Sequence, residues 1–186
     1  MTKEIDLNTV PEGLPAPVDD GAAGHLVGLR LPALRLSATN GTSVTLSEIV
    51  PRTVFFCYPM TGRPGQPLPD GWDQIPGARG CTPQACSYRD KYNEFASSGV
   101  TVYGISTQTT EDQIEAAERL HLPYLLLSDE RGELTRALKL PTFRAGAKTR
   151  IRRLTFVATN GLIEKVWYPV FPSDSDTPLV LAWLHR

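Results

Sequence analysis

Thr53-Val54-Phe55-Phe56-Cys57-Tyr58-Pro59 is an unbroken apolar run, β-branched and aromatic, stopped by a proline. A run without polar alternation suits a strand buried on both faces of a sheet. Upstream, residues 31–38 and 43–46 flank Asn40-Gly41, a pair that tolerates the positive φ of a tight hairpin turn. Downstream, residues 60–80 form a long loop rich in Gly and Pro, with Trp72 as an apolar anchor. Loops of more than about 15 residues inside a compact domain tend to be functional.

Helical character begins at Thr82, a capping residue type, followed by Pro83, which suits the first helical position. The helix is expected to run to Ser98 and stop at Gly99. Residues 100–106 read as a second buried strand. Residues 110–120 read as an amphipathic helix capped by Thr109 or Thr110, with Ile114, Ala117 and Leu120 on one face. A strand at 124–127 and a short helix at 132–138 follow. Residues 151–159 and 162–170 flank Asn160-Gly161, a second hairpin, and 173–183 suit a terminal helix. Strands alternating with helices imply right-handed crossovers and a partly parallel sheet. The fold class expected is α/β: a thioredoxin-like layout, a central mixed sheet flanked by helices, with an N-terminal hairpin extension. Residues 1–27, broken by Pro11, Pro15 and Pro17, read as an arm, flexible or laid across the fold, and 28–186 as the domain.

The 186 residues carry 19 Lys and Arg against 20 Asp and Glu. That balance argues against a nucleic-acid partner, which calls for a basic excess. The longest apolar stretches are too short for a membrane span. The N-terminus has no apolar run of a secretory signal. The expected location is therefore cytoplasmic. Three cysteines are too few for a secreted disulfide framework, and a reducing compartment favours catalytic or metal-binding roles for a close pair.

That pair lies in Gly80-Cys81-Thr82-Pro83-Gln84-Ala85-Cys86-Ser87-Tyr88-Arg89-Asp90. Cys81 falls at a helix start, where unpaired N–H groups and the positive end of the helix dipole favour thiolate, the nucleophilic form. Cys86 is five residues on, about 7.5 Å along an unbroken helix, beyond the usual disulfide limit of about 7 Å. The two sulfurs join only if the first turns unwind, which suggests oxidation at Cys81 followed by capture by Cys86. Two competing readings are buried structural thiols and a zinc site. Zinc lacks ligands: only Cys57, read as a core thiol in its strand, and the scattered His25, His121 and His185 remain.

The segment 80–90 resembles the active site of peroxiredoxins, most closely the Q-type or bacterioferritin-comigratory branch. Phe56-Cys57-Tyr58-Pro59, Gly104-Ile105-Ser106, residues 122–129 and Arg153-Leu154-Thr155-Phe156-Val157 resemble further segments of that family. The resemblance implies a thiol peroxidase with Cys81 as peroxidatic and Cys86 as resolving cysteine. Arg153 would hold the sulfur and peroxide oxygens, and Pro59, Gly80 and Thr82 would line the peroxide site. Arg153 shares a face with Thr155 if the strand alternates there. Implied partners are a hydroperoxide and a thioredoxin-type dithiol reductant, in a monomer or weak homodimer, with no metal, haem or flavin cofactor. The family's Pro-x-x-x-Thr-x-x-Cys loop is altered: Ala78 stands three residues before Cys81 and Gln74 seven before, while residues 62–77 read as an insertion after Pro59 and Thr61. Either Thr61 folds back to supply the missing hydroxyl, or the loop lacks that bond. An alternative function is a thioredoxin-fold disulfide oxidoreductase or redox sensor; a non-enzymatic binding module is a third.

Overall fold

The computed structural model describes residues 6–186; residues 1–5 of the expected arm lie outside the described residues. In chain order the elements are β1 (Arg35–Ala38), β2 (Ser43–Thr45), β3 (Thr53–Cys57), α1 (Cys81–Asp90), α2 (Tyr92–Ser97), β4 (Thr101–Ser106), α3 (Thr110–Arg119) and β5 (Leu125–Ser128). Then come α4 (Glu133–Ala137), β6 (Thr142–Ala145), β7 (Lys148–Ile151), β8 (Leu154–Thr159), β9 (Leu162–Trp167) and α5 (Asp176–Leu184). Among the described residues, one sheet has the order β2-β1-β5-β4-β3-β8-β9, and β6-β7 is a separate hairpin. β3-β4 and β4-β5 are parallel; β8, β9, β1 and β2 join antiparallel. The expected mixed sheet with a leading hairpin is present.

β3 is buried at every position because both faces are covered. Phe55 and Cys57 point into a cluster with Leu26, Ile105, Leu127, Leu134 and Phe156. Val54, Phe56 and Tyr58 point the other way, among Tyr88, Phe95, Leu126, Val180 and Leu181. The Phe56 ring stacks on Tyr88 of α1 at 4.5 Å between centroids. Opposite Phe56, β4 carries Gly104, where a Cβ would collide with the Phe56 ring and the Leu126 side chain. The helix start is thus keyed to the sheet centre through one aromatic stack.

Several expectations are corrected. The helix expected over 82–98 is two helices, broken at Lys91, whose φ of −103° and ψ of 5° depart from the helical values. Its cap is Gly80, not Thr82: the backbone there is left-handed at φ 98°, and no side chain among the described residues caps α1. On α3 the fully buried residues are Gln113 and Ala116, with Leu120 just beyond, whereas Ile114 and Ala117 are half-buried. Gln113 is turned inward because its amide nitrogen donates to the Leu127 carbonyl and to Ser106 Oγ. The Thr109 cap is as expected, its hydroxyl accepting from the Asp112 N–H. The β6-β7 hairpin interrupts what reads in sequence as loop and strand, so β8 begins at Leu154 rather than 151. The core also reaches into the arm: Ala23 and Leu26 are buried in it. Further upstream, Leu7 lies over Gly62, Val10 over Gly80 and Pro17 over Gly77.

Candidate active site

The site forms where three chain segments leave the same end of the sheet. In the antiparallel register Cys57 of β3 pairs with Leu154 of β8, so the residues leaving β3 and the residue preceding β8 emerge together. β3 delivers Tyr58, Pro59, Met60 and Thr61; the approach to β8 delivers Arg153. α1 starts opposite, at Cys81. Backbone N–H groups of the first helical positions lack intrahelical partners, and Pro83 has none to offer, so Cys81 and Thr82 supply the free donors there.

Cys81 is buried, 4% exposed. Its Sγ receives Arg153 Nη2 at 3.2 Å and the Met60 N–H at 3.4 Å, and lies 3.6 Å from the Ala78 carbonyl oxygen. Arg153, 3% exposed, also donates through Nη2 to the carbonyls of Gly77, Ala78 and Arg79 at 3.0–3.3 Å, and through Nη1 to Gln84 Oε1 at 2.5 Å. The 77–79 carbonyls and the sulfur thus share one guanidinium nitrogen. A planar fork with five donors can bind several acceptors at fixed angles, which an ammonium cannot. Arg153 precedes β8 rather than lying in it. Thr155 nevertheless reaches the same polar group, since its hydroxyl donates to Asp176 at 2.5 Å.

Thr61 is brought close but employed elsewhere. Its hydroxyl and its N–H both donate to Gln108 Oε1, at 3.1 and 2.9 Å, and Gln108 Nε2 returns a bond to the Thr61 carbonyl. The polar contacts of Cys81 Sγ come from Met60, Ala78 and Arg153. The Met60 N–H, and not the Thr61 hydroxyl, donates to the sulfur. Pro59, Gly80 and Thr82 are buried around the sulfur's segment. The inserted stretch is ordered by its own small core: Trp72 and Ala78 pack with Ala145, and the Trp72 ring lies 5.9 Å from that of Phe143 on β6.

Cys86 is half-buried on the wound α1, and all three cysteines are free thiols. Burial chiefly pushes the Cys86 thiol up, with Asp90 adding and Arg89 and Arg119 opposing. Cys57 is fully buried, and burial raises its thiol far above the ordinary value, as suits a packed core residue. No group of three or more His, Cys, Asp or Glu among the described residues is placed to hold a metal.

Sequence reasoning missed four neighbours. Gln84, Gln108 and Asp176 are buried polar residues, and nothing local in the sequence marks that burial. Arg150 reads as a surface charge next to Arg152; in the structure it is 9% exposed, and Nη2 lies 3.5 Å from Met60 Sδ. Burial draws the Arg150 pKa below its ordinary value, and with Gln108, Thr107 and Lys148 it lines a cavity of about 600 Å³ beside the site.

A mixed sheet with a buried cysteine heading the central helix, gripped by a guanidinium, defines a thiol-chemistry protein of the thioredoxin-like fold. Residues 26–181 match the family model described as Redoxin, and the chain belongs to that family, in its peroxiredoxin Q branch. It is 31% identical over 156 residues to Peroxiredoxin Q, chloroplastic, of Gentiana triflora, covering 82% of this chain and 64% of that protein. The chain therefore spans just under two thirds of that relative's length. It is 33% identical over 146 residues to Peroxiredoxin Q, chloroplastic, of Sedum lineare, covering 77% and 69%. The crystal structure of Peroxidoxin BcpB from Mycobacterium tuberculosis superposes with a TM-score of 0.68 at 28% identity, covering 86% of this chain and 96% of that one.

Proposed function

We propose that the protein is a thiol peroxidase that reduces hydrogen peroxide or organic hydroperoxides through Cys81. The observation that carries this reading is the pair of donors on Cys81 Sγ, Arg153 Nη2 and the Met60 N–H, at the head of α1. The Cys81 thiolate attacks one peroxide oxygen; the O–O bond breaks; the other oxygen leaves with the electron pair and takes a proton as water or alcohol. The sulfur becomes a sulfenic acid. Donors that converge on the reacting sulfur also lie within reach of the charge developing on the departing oxygen. Cys86 then attacks Cys81 Sγ, water leaves, and a disulfide forms after the first turns of α1 unwind. A thioredoxin-type dithiol returns both thiols. We take the protein as a cytoplasmic monomer or weak homodimer.

A competing reading, a disulfide oxidoreductase or redox sensor with little peroxide turnover, rests on the employment of Thr61 on Gln108. Lacking a hydroxyl donor weakens peroxide activation by about 2–4 kcal/mol if it behaves as an oxyanion donor does. Stopped-flow tryptophan fluorescence after one equivalent of hydrogen peroxide separates the two. The peroxidase reading expects oxidation far faster than that of free cysteine, then an intact-mass loss of about 2 Da with Cys81 and Cys86 linked in peptide maps. Oxidation no faster than that of free cysteine removes the peroxidase reading.

A further inference from the structure

Asp176 opens α5 and is 1% exposed. Its Oδ2 accepts from Thr155 Oγ1 at 2.5 Å, Tyr88 OH at 2.8 Å and Gln84 Nε2 at 3.1 Å; Oδ1 is buried without a partner among the described residues. Gln84, itself fully buried, spends its amide on two partners of opposite kind: Nε2 on Asp176 and Oε1 on Arg153 Nη1. Guanidinium has donors and no acceptor, so only the carbonyl end of Gln84 can face Arg153. The facing oxygen of Asp176 accepts, so only the amide nitrogen can face it.

We propose that Asp176 is a positioning residue: it fixes the polarity of the Gln84 amide, and Gln84 in turn fixes the Arg153 fork against Cys81. The inference rests on Cys81 being the peroxidatic residue. Among the described residues, the Gln84 bond is Arg153's one side-chain oxygen partner. Nε is buried without a partner there, and Nη2 is divided among three carbonyls and the sulfur. A Gln84 amide turned end for end would set its NH2 against Nη1, donor on donor, and drive the guanidinium off the sulfur. Small displacements of a positioned group carry large rate costs. A buried carboxylate is expensive unless its hydrogen bonds and a nearby cation compensate, and one oxygen here remains unsatisfied. Gln84 and Asp176 are 92 residues apart in sequence and joined by one hydrogen bond.

The test exchanges donor and acceptor. In the full-length reduced protein, Asp176→Leu removes the acceptor and frees the Gln84 amide to turn, and Gln84→Glu sets two carboxylates face to face. Each single variant should slow Cys81 oxidation by hydrogen peroxide about 10- to 100-fold, the range for a misdirected hydrogen bond to a charged group. Asp176→Asn combined with Gln84→Glu restores the polarity. The carboxylate introduced at position 84 accepts from Arg153, and the amide NH2 introduced at position 176 donates to that carboxylate. It should recover most of the rate. A merely structural role predicts additive losses instead. Wild-type oxidation in Asp176→Leu, or a double variant no faster than Gln84→Glu alone, overturns the proposal. Should Asp176→Leu not fold, wild-type oxidation in Gln84→Glu overturns it equally. If wild type itself shows no fast peroxide step, the peroxidase reading fails, and alkylation of Cys81 by iodoacetamide reads the same ordering of variants instead.

Discussion

Arg153 makes contacts that no other cation can reproduce. One nitrogen spans a sulfur and three carbonyls, the other takes Gln84, and the planar group fixes the angle between them. Arg153→Lys keeps the charge and loses the fork. It should slow Cys81 oxidation about 100-fold or more, as removal of a preorganised donor does. Stopped-flow rates check this; a rate within a factor of about three of wild type would mean that charge alone suffices. Gly80 is constrained as strictly. Its φ of 98° lies in the left-handed region, and a Cβ there would fall inside the Ser173 side chain. Gly80→Ala should cost about 1–3 kcal/mol of stability from backbone strain and more from the collision. Ser173→Gly in the same background should return part of it, as read by urea unfolding. Cys81 and Arg153 were legible in sequence because one heads a helix and both sit in segments resembling a known site. Gln108 and Asp176 were not, since their partners lie 47 and 92 residues away and nothing local marks them as buried.

The inserted stretch 62–77 reaches the candidate site because its last residue, Gly77, supplies a carbonyl to Arg153. Trp72 ties it to Phe143, and Ala78 closes the same small cluster. Trp72→Ala removes a buried indole, a loss of about 3–5 kcal/mol in a typical core. Here the loop should detach first: limited proteolysis should cut within 62–77 and Cys81 oxidation should slow, while α1 and the sheet remain folded. A loop that stays protected would show that Trp72 is dispensable. α1 carries a second expectation. Burial holds Cys86 above the ordinary thiol pKa, so it is protonated at neutral pH. When chemistry limits closure, its rate should rise about tenfold per unit between about pH 6 and pH 8, tracking the thiolate. A flat profile would place helix unwinding as the slow step. Sequence patterns found β3 and β4 as buried apolar runs and α3 by its amphipathic period. They missed the β6-β7 hairpin and the break at Lys91, since four-residue strands with charged residues and a kink between two helical stretches leave little periodic trace.

At the scale of the whole molecule, the site stands where the parallel strands β3 and β4 end, α1 begins and β8 enters antiparallel, so one end of the sheet gathers segments remote in sequence. α5 closes the assembly by setting Asp176 against Gln84 and Tyr88 of α1 and Thr155 of β8. That placement opposes stability. Burial, the largest influence, raises the Asp176 pKa above the ordinary carboxylate value of 3.8; bonds from Thr155, Tyr88 and Gln84 and the charge of Arg153 pull the other way. A carboxyl whose folded pKa exceeds its unfolded one binds its proton more tightly in the folded state. Its stabilising contribution is whole below the unfolded value and is lost as pH rises through the folded one. Asp176→Asn has no such proton. The unfolding free energy of wild type minus that of Asp176→Asn should therefore fall as pH rises above the ordinary carboxylate value of 3.8, measured by urea titration at each pH. Other ionising groups cancel in the difference, because they are common to both proteins. A difference that is flat, or that rises with pH, would mean that the hydrogen bonds and the guanidinium charge outweigh burial. The protein would then carry Asp176 at no thermodynamic cost.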